Sequence, residues 1–290
     1  MQLHDSKRGA ILISMHMEIE TTTVDRVADL RFLYARELDD IILYEREIQQ
    51  GQTRIYGMRG GGVLVGYGVL HGEGEDRSKI VEFFLLPQYR CHTAVAFDHF
   101  TSVTEATGVL ARTNDTGLVL LLHERTRNIA ASHYCFRDAE RTHHPVSGAR
   151  YRGITQDDLE LLTPIMTTSQ AWPFELSDRK ALDTWIASNE GRVLEDEEGI
   201  AGIGAILRGY NRPFANIGMV VMKRARRRGY ATYLIEELKR ETYALGKIPR
   251  ADCAHWNTAS RSTLLRAGFL VNARTVQGTF PDPAQEFHSH

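Results

Sequence analysis

The stretch "VVMKRARRRGYATYLIEEL", Val220 to Leu238, decides the reading of this chain. Five basic residues fill the six positions from Lys223 to Arg228, the run ends at Gly229, and a helical pattern begins at once. An apolar strand, a turn of cations and glycine, and a helix start together form an anion site. The first helical N–H groups lack partners in their own helix, and the helix dipole adds positive potential there. Gly229 lets the backbone approach a bulky diphosphate, and Arg226, Arg227 and Arg228 offer charge-assisted hydrogen bonds. The competing reading is a solvated basic loop.

Charge elsewhere sharpens the choice. From Val146 onward the chain holds 19 Lys or Arg against 17 Asp or Glu, and 14 against 17 without those five. The positive charge is one turn and not a face, and the formal net charge of the whole chain is −2. Neither nucleic acid nor an anionic membrane is therefore expected as a partner. At 290 residues and 42% apolar content the chain is expected to form two domains. Cys91, Cys135 and Cys253 are too few and too scattered for a disulfide framework, which points to a reducing cytoplasm, and no metal-ligand spacing is present. The apolar runs "GAILISM" and "GLVLLLH" fall far short of the roughly 20 residues of a membrane span. The opening "MQLHDSKRGAILISMHM" reads as an arm or first strand and not as a leader.

The surrounding pattern is mixed α/β. "TQDD", Thr155 to Asp158, has the form of a capping box opening a helix to about Met166, and a second helix is expected over Ser177 to Asn189. Strands follow near Arg192 to Glu195, Ile200 to Leu207 and Phe214 to Met222, separated by the turn chemistry of "DEEG" and "GYNRP". After the basic run, Ala231, Leu234, Ile235, Leu238 and Leu245 share a helical face, with Gly246 as C-cap. "ADCAHW" reads as a strand, "NTASRSTLLRAG" as a helix capped at Thr258, and "FLVNARTVQGTF" as a last strand.

The first half repeats this order. It offers helical material from Asp25 to Gly51, a hairpin turning at Gly60 to Gly62, the strand "KIVEFFLLP" and the helix "TAVAFDHFTSVTEATG". The strand "VLARTND", the helix "GLVLLLHERTRNIA" and the strand "SHYCFRD" complete it. Asn114 in "ARTNDTG" stands between strand and helix as Asn257 does in "AHWNTAS", so a tandem duplication is the economical reading. "RTHHPVSGAR" would be the linker, dividing the chain into 1–145 and 146–290.

"RRRGYA", Arg226 to Ala231, resembles the R/Q-x-x-G-x-G/A turn of the GNAT superfamily of N-acetyltransferases. The preceding strand "FANIGMVVM", the amphipathic helix after the turn, and "N-T-A-S…L-L-R-A-G-F" resemble the rest of that family's pattern over about Gly153 to Phe280. The resemblance implies two tandem GNAT-like domains, each a mixed twisted sheet flanked by helices, the first a degenerate copy whose turn, "LPQYRCHTAV", has no glycine. It also implies acetyl-CoA as co-substrate. Its pyrophosphate would lie on Arg226, Arg227, Arg228, Gly229, Tyr230, Ala231 and Thr232, and its pantetheine arm on the main chain of Val220, Val221 and Met222. Two parallel strands splay there, and an exposed amide such as that of Val221 would stabilise the thioester oxyanion.

Asn257 would bond the pantetheine arm or merely cap a helix. Arg261 and Arg266 could reach a 3′-phosphate or form a solvated face. Asn216, Val221 and Ser260 are the candidate catalytic residues, Ser260 also being able simply to bond the helix backbone. Where family members often carry a glutamate base, this chain has Asn216, which orients a water or is a satisfied polar residue. Where a tyrosine acid is usual, it has Leu264. His255 and Cys253 on the "ADCAHW" strand, and Trp172, Phe174 and Glu175 in "AWPFEL", are weaker candidates; each also reads as packing. Glu82 sits at the base position of the first copy, as a relic. His143, His144, His288 and His290 read as linker and tail.

The expected activity is transfer of an acetyl group from acetyl-CoA to a small-molecule or peptide amine by direct attack in the second domain. Proximity carries much of it: holding amine and thioester at about 3 Å supplies roughly 7 to 11 kcal/mol, against about 2.7 for a modest general base. A non-catalytic acyl-CoA sensor or partner-binding module is the alternative, and the first domain could wall the acceptor cleft or pair chains as a homodimer.

Overall fold

In a computed structural model, described for residues 17–72, 78–168 and 179–281, the chain forms one twelve-stranded mixed sheet with helices on both faces. The first half runs β1 (Met17–Thr22), α1 (Ala28–Leu38), α2 (Glu45–Gln49), β2 (Arg54–Gly60), β3 (Val63–His71), β4 (Lys79–Leu85), α3 (Thr93–Val103), β5 (Gly108–Arg112), α4 (Thr116–Arg125) and β6 (Arg127–Asp138). The second runs β7 (Arg150–Gly153), α5 (Leu159–Thr168), α6 (Arg179–Ala187), β8 (Gly191–Asp196), β9 (Gly199–Leu207), β10 (Phe214–Val221), α7 (Tyr230–Ala244), β11 (Ile248–Ala254), α8 (Thr258–Arg266) and β12 (Phe269–Thr279). The two halves thus repeat the same order of elements.

Strand order is β1-β2-β3-β4-β5-β12-β6-β11-β10-β9-β8-β7. Each half lays five strands side by side and hands its sixth to the other. β12 pairs with β5, β6 pairs with β11, and β6 and β12 pair with each other at the centre. All neighbours are antiparallel except β4 with β5 and β10 with β11. The exchanged strands carry their side chains with them. Phe136 of β6 is fully buried among Leu234, Leu238 and Leu264 of the second half, while Val276 and Phe280 pack on Phe97 and Val109 of the first. Removing a buried phenylalanine costs about 3 to 5 kcal/mol, so each core depends on a strand from the other half.

A buried polar contact fastens the halves on the other face. Asp40, after α1, accepts from Arg250 Nε on β11 and from Asn272 Nδ2 on β12, each at 2.8 Å, and Asn211 donates to its carbonyl at 2.9 Å. The segment between the halves is docked as well. Thr142 Oγ1 and the main-chain N–H of His144 donate to Glu236 on α7.

Local chemistry explains most elements and corrects several expectations. Thr155 and Asp158 do form a reciprocal capping box ahead of α5. The cap of α8 is Asn257 and not Thr258, because its Oδ1 accepts from the N–H of Ser260. Its counterpart in the first half is Asp115, which caps α4 by accepting from Leu118 N, and not Asn114, whose Nδ2 donates to Leu38 O. The helix expected to run through "ERTRNIA" stops at Arg125 and the chain enters β6 at Arg127. Leu245 lies outside the buried face of α7, being the exposed C-cap, with Gly246 at φ +68 beyond it. β7 follows the segment read as linker, β1 covers Met17–Thr22, and the opening read as an arm or first strand lies outside the described residues up to residue 16.

Candidate active site

β10 and β11 are in register for three pairs only, Phe214 with Ile248, Ala215 with Pro249 and Asn216 with Arg250, and then part. The gap opens into a cleft of about 720 Å³ lined by Met219, Val220, Val221, Gly229, Asp252 and Asn257, among others. Met222 N–H donates to Ala201 O on β9 at 2.9 Å. In an extended strand the main chain alternates direction, so the amides of Val220 and Met222 face β9, while those of Met219 and Val221 face the gap. Met219 was not anticipated from the sequence; a single strand gives no sign of which amides its neighbour leaves unpaired.

The turn behaves as a helix start without an internal cap. Gly229 is the N-cap of α7 at φ +85, where a glycine is favoured, and it has no side chain to satisfy the N–H groups of Tyr230, Ala231 and Thr232. Arg227 holds a left-handed φ of +63 beside it. Arg226 and Arg227 line the cleft, and Arg226 is aimed by its Nε, which donates to Val221 O at 3.1 Å. The other arginines turn away. Arg224 pairs with Asp196 at 2.9 Å, and Arg228 reaches Asp196 and Glu198 at 3.5 and 3.8 Å while lying over the Tyr230 ring. The acidic β8–β9 turn, Asp196 to Glu198, therefore takes up two of the run's five cations. Arg224 above Asp196 holds that carboxyl below its usual range. Tyr230 is buried in the core, though its N–H remains at the helix start.

Around the gap the residues divide by face. Ala231, Thr232, Asn257, Ser260 and Arg266 line the cleft on the α7 and α8 side. The Oδ1 of Asn257 is engaged as cap by the Ser260 N–H, and burial pushes the Cys253 thiol up to about 11, against the lowering influence of nearby Ser260. A thiol so placed is no nucleophile at neutral pH. Leu264, at the expected acid position, is buried in the core. Arg261 donates to Tyr134 OH at 3.2 Å and is not part of the lining. His255 lies past the end of β11, exposed, with Nδ1 at 3.3 Å from Ser132 O.

On the opposite face stand Asn216 and Asp252. Asn216 is 6% exposed, its Nδ2 donates to Asp252 Oδ2 at 3.2 Å, and its Oδ1 has no partner among the described residues. Tyr210 faces the same pair. Burial and the Asp252 charge push its phenol up to about 12, against a contact with Asn216 that lowers it. His133, on β6 of the first half, joins the lining of the cleft. Trp172, Phe174, Glu175, His288 and His290 lie outside the described residues.

The first half repeats the geometry without the chemistry. Arg90 Nε donates to Leu85 O at 3.2 Å, as Arg226 does to Val221 O, but its guanidinium is held by both oxygens of Glu37. A smaller cavity of about 310 Å³ lies there, lined by Phe83, Phe84, Leu85 and two carboxylates, Glu37 and Asp115. Burial raises the Asp115 pKa in spite of the Tyr34 hydroxyl that donates to it. Glu82 is not the counterpart of Asn216. Leu86 N donates to Val65 O as Met222 N does to Ala201 O, and counting back from these anchors sets Glu82 opposite Gly218. It is fully buried, held by Arg31 and Tyr67.

Among the described residues no helix is long and apolar enough to cross a membrane, and no three His, Cys, Asp or Glu cluster as a metal would need.

Comparison with known proteins gives the same picture. Residues 156–269 match the model of the family described as Acetyltransferase (GNAT) family. No curated protein matches by sequence. Among solved structures, an acetyltransferase of the GNAT family from Colwellia psychrerythraea superposes over 91% of this chain and all of its own, with TM-score 0.75 and 16% identity. A GCN5-related N-acetyltransferase from Sphaerobacter thermophilus covers 90% of this chain and 94% of its own (TM-score 0.62, 14% identity). A tandem GNAT protein from the clavulanic acid biosynthesis pathway covers 90% and 97% (TM-score 0.56, 14% identity). At these identities the likeness is one of fold.

Proposed function

We propose, from the premise that this chain carries a GNAT acetyltransferase domain over residues 156–269, that it transfers an acetyl group from acetyl-CoA to the amine of a small molecule or peptide in the cleft between β10 and β11. The observation that carries this reading is the coincidence, in one cleft, of a helix start capped only by Gly229 and of main-chain amides left unpaired by the parting strands. The donor set fits the group. A pyrophosphate would take the N–H groups of Tyr230, Ala231 and Thr232 and the guanidiniums of Arg226 and Arg227. The pantetheine arm would run along the β10 edge at Met219 and Val221 toward Asn257 and Ser260, and the Val221 N–H is placed to receive the developing oxyanion. Val220, Met222 and Arg228 would contribute by shaping this edge. Transfer would be direct, because among the described residues the lining offers no activated nucleophile: burial holds Cys253 as a thiol.

The first half would bind no coenzyme, since its counterpart turn lacks the glycine and Glu37 occupies the guanidinium of Arg90, the counterpart of Arg226. It would instead close the acceptor side of the cleft through β6. A second reading, an acyl-CoA sensor, is favoured by the buried Leu264 at the position of the usual acid. Calorimetry with acetyl-CoA and a thiol-release assay over a panel of amines separate the two. Binding with amine-stimulated release supports the transferase, binding without release the sensor, and no binding refutes both.

A further inference from the structure

The residue that the sequence places at the usual base position, Asn216, cannot take a proton, but it is bonded to one that can. Asp252 lies two residues beyond the last β10–β11 pair on β11, as Gly218 does on β10, so its side chain stands where the strands part. Asp252 and Asn216 share a face of the sheet, opposite to Ala251 and Cys253, which are packed in the α7–α8 core. Asp252 is half-buried, and it is the one carboxylate among the described residues that line the cleft.

We infer that Asp252 is the proton acceptor for the attacking amine, and that Asn216 is a positioning residue which holds the Asp252 carboxylate with Nδ2. This rests on the transferase reading above. The arriving ammonium gives one proton to Asp252. The freed lone pair forms the N–C bond as the carbonyl electrons move onto oxygen at the Val221 N–H. Collapse of that oxyanion breaks the C–S bond, and the electron pair leaves on sulfur. The extra proton on nitrogen passes to the thiolate, and Asp252 returns its own to water. The sum is ammonium plus thioester giving amide, thiol and one proton.

The groups that face Asp252 leave it this task. Tyr210, above the pair, and the thiols of Cys135 on β6 and Cys253 on β11 are all raised by burial and stay protonated at neutral pH. Arg112 on β5 stays cationic. Asp40, a second carboxylate on this face, is already held by Arg250 and Asn272, and Glu47 acts on Tyr210 together with Arg46. His133 stands across from Ala254 and joins the lining of the cleft.

The experiment uses the full chain with acetyl-CoA and four amines: spermidine, glucosamine, a lysyl tripeptide and hydroxylamine. Hydroxylamine is neutral at pH 7 and needs no base. Asp252→Asn is isosteric and keeps an acceptor for Asn216, so an unchanged acetyl-CoA affinity reports an intact fold. The expected result is a fall in kcat of about 100-fold or more with the basic amine that serves as substrate. The acid limb of its pH profile is lost, while the hydroxylamine rate stays within about fivefold. In Asn216→Ala the carboxylate loses a donor, so the acid limb moves to higher pH. An Asp252→Asn enzyme that keeps both rate and limb, or that loses hydroxylamine turnover equally, overturns the assignment while leaving the transferase reading in place. A wild-type protein that binds acetyl-CoA and releases thiol with none of the four amines overturns both.

Discussion

Nδ1 of His144 stands 2.6 Å from Oε1 of Glu236, and the same carboxylate accepts from the His144 N–H at 2.7 Å. One glutamate on α7 thus fixes the segment that joins the two halves, one helix turn beyond Ala231 and Thr232. Burial alone would raise the Glu236 pKa, but the bonds from Thr142 and His144 outweigh it and hold the carboxyl below its usual range. A carboxylate that titrates lower when folded adds stability that is complete above the unfolded glutamate range and is lost as pH falls through the folded one. Glu236→Gln is therefore expected to cost about 2 kcal/mol at neutral pH. In urea unfolding the gap to wild type should persist down to about pH 5 and close below about pH 4.

Gly229→Ala and Gly229→Glu separate backbone strain from charge. A Cβ at this position would meet only Val146, at an ordinary 3.6 Å, so the alanine cost comes from the left-handed φ, about 1 kcal/mol. The glutamate adds a negative charge at the helix start and should raise the acetyl-CoA Kd by at least about tenfold beyond the alanine. Calorimetry on both variants checks this; equal affinities would remove the turn from the binding site.

Gly268→Ala tests a different constraint. Gly268 has φ +84, and a Cβ there would lie 2.2 Å from the Glu140 carbonyl oxygen and 3.2 Å from Thr142 Cγ2. The Gly268 carbonyl already accepts from the N–H groups of Ala139 and Glu140. Strain and overlap together predict a loss of about 3 kcal/mol and a fall of several degrees in Tm, with acetyl-CoA affinity kept by the protein that remains folded.

Residues 1–145 and 146–290, produced separately, should each fail to fold as a stable monomer. The first loses β12 from beside β5, and the second loses β6, with Phe136, from its core. Co-production of the two fragments should restore a complex seen by size-exclusion chromatography and circular dichroism. Two well-folded monomers would contradict the mutual dependence of the cores.

Much of the second half was legible because its signals are local. Thr155 and Asp158 announce a capping box, Gly229 and the cations before it announce an anion turn, and the turn chemistry of "DEEG" and "GYNRP" delimits β9 and β10. The exchange of β6 and β12 was not legible, since a strand's side-chain pattern records which face is buried and not which neighbour it pairs with. The same limit hid Asp252. Nothing near "ADC" marks its aspartate until the register with β10 sets it beside Asn216. The diversion of Arg224 and Arg228 depends on Asp196, some thirty residues earlier, being folded back against the turn. Asn114 looked like the partner of Asn257 by residue type, whereas hydrogen-bond geometry selects its neighbour Asp115.

β12, the last strand among the described residues, lies at the middle of the sheet. While the chain is being made, β5 emerges early with a bare edge, and its permanent neighbour is still untranslated until residues 269–279 are added. An open edge held that long is one that other strands can seize. Nascent chains cut short before Phe269 should accordingly be found with chaperones or in aggregates, and not as a folded first half awaiting its second.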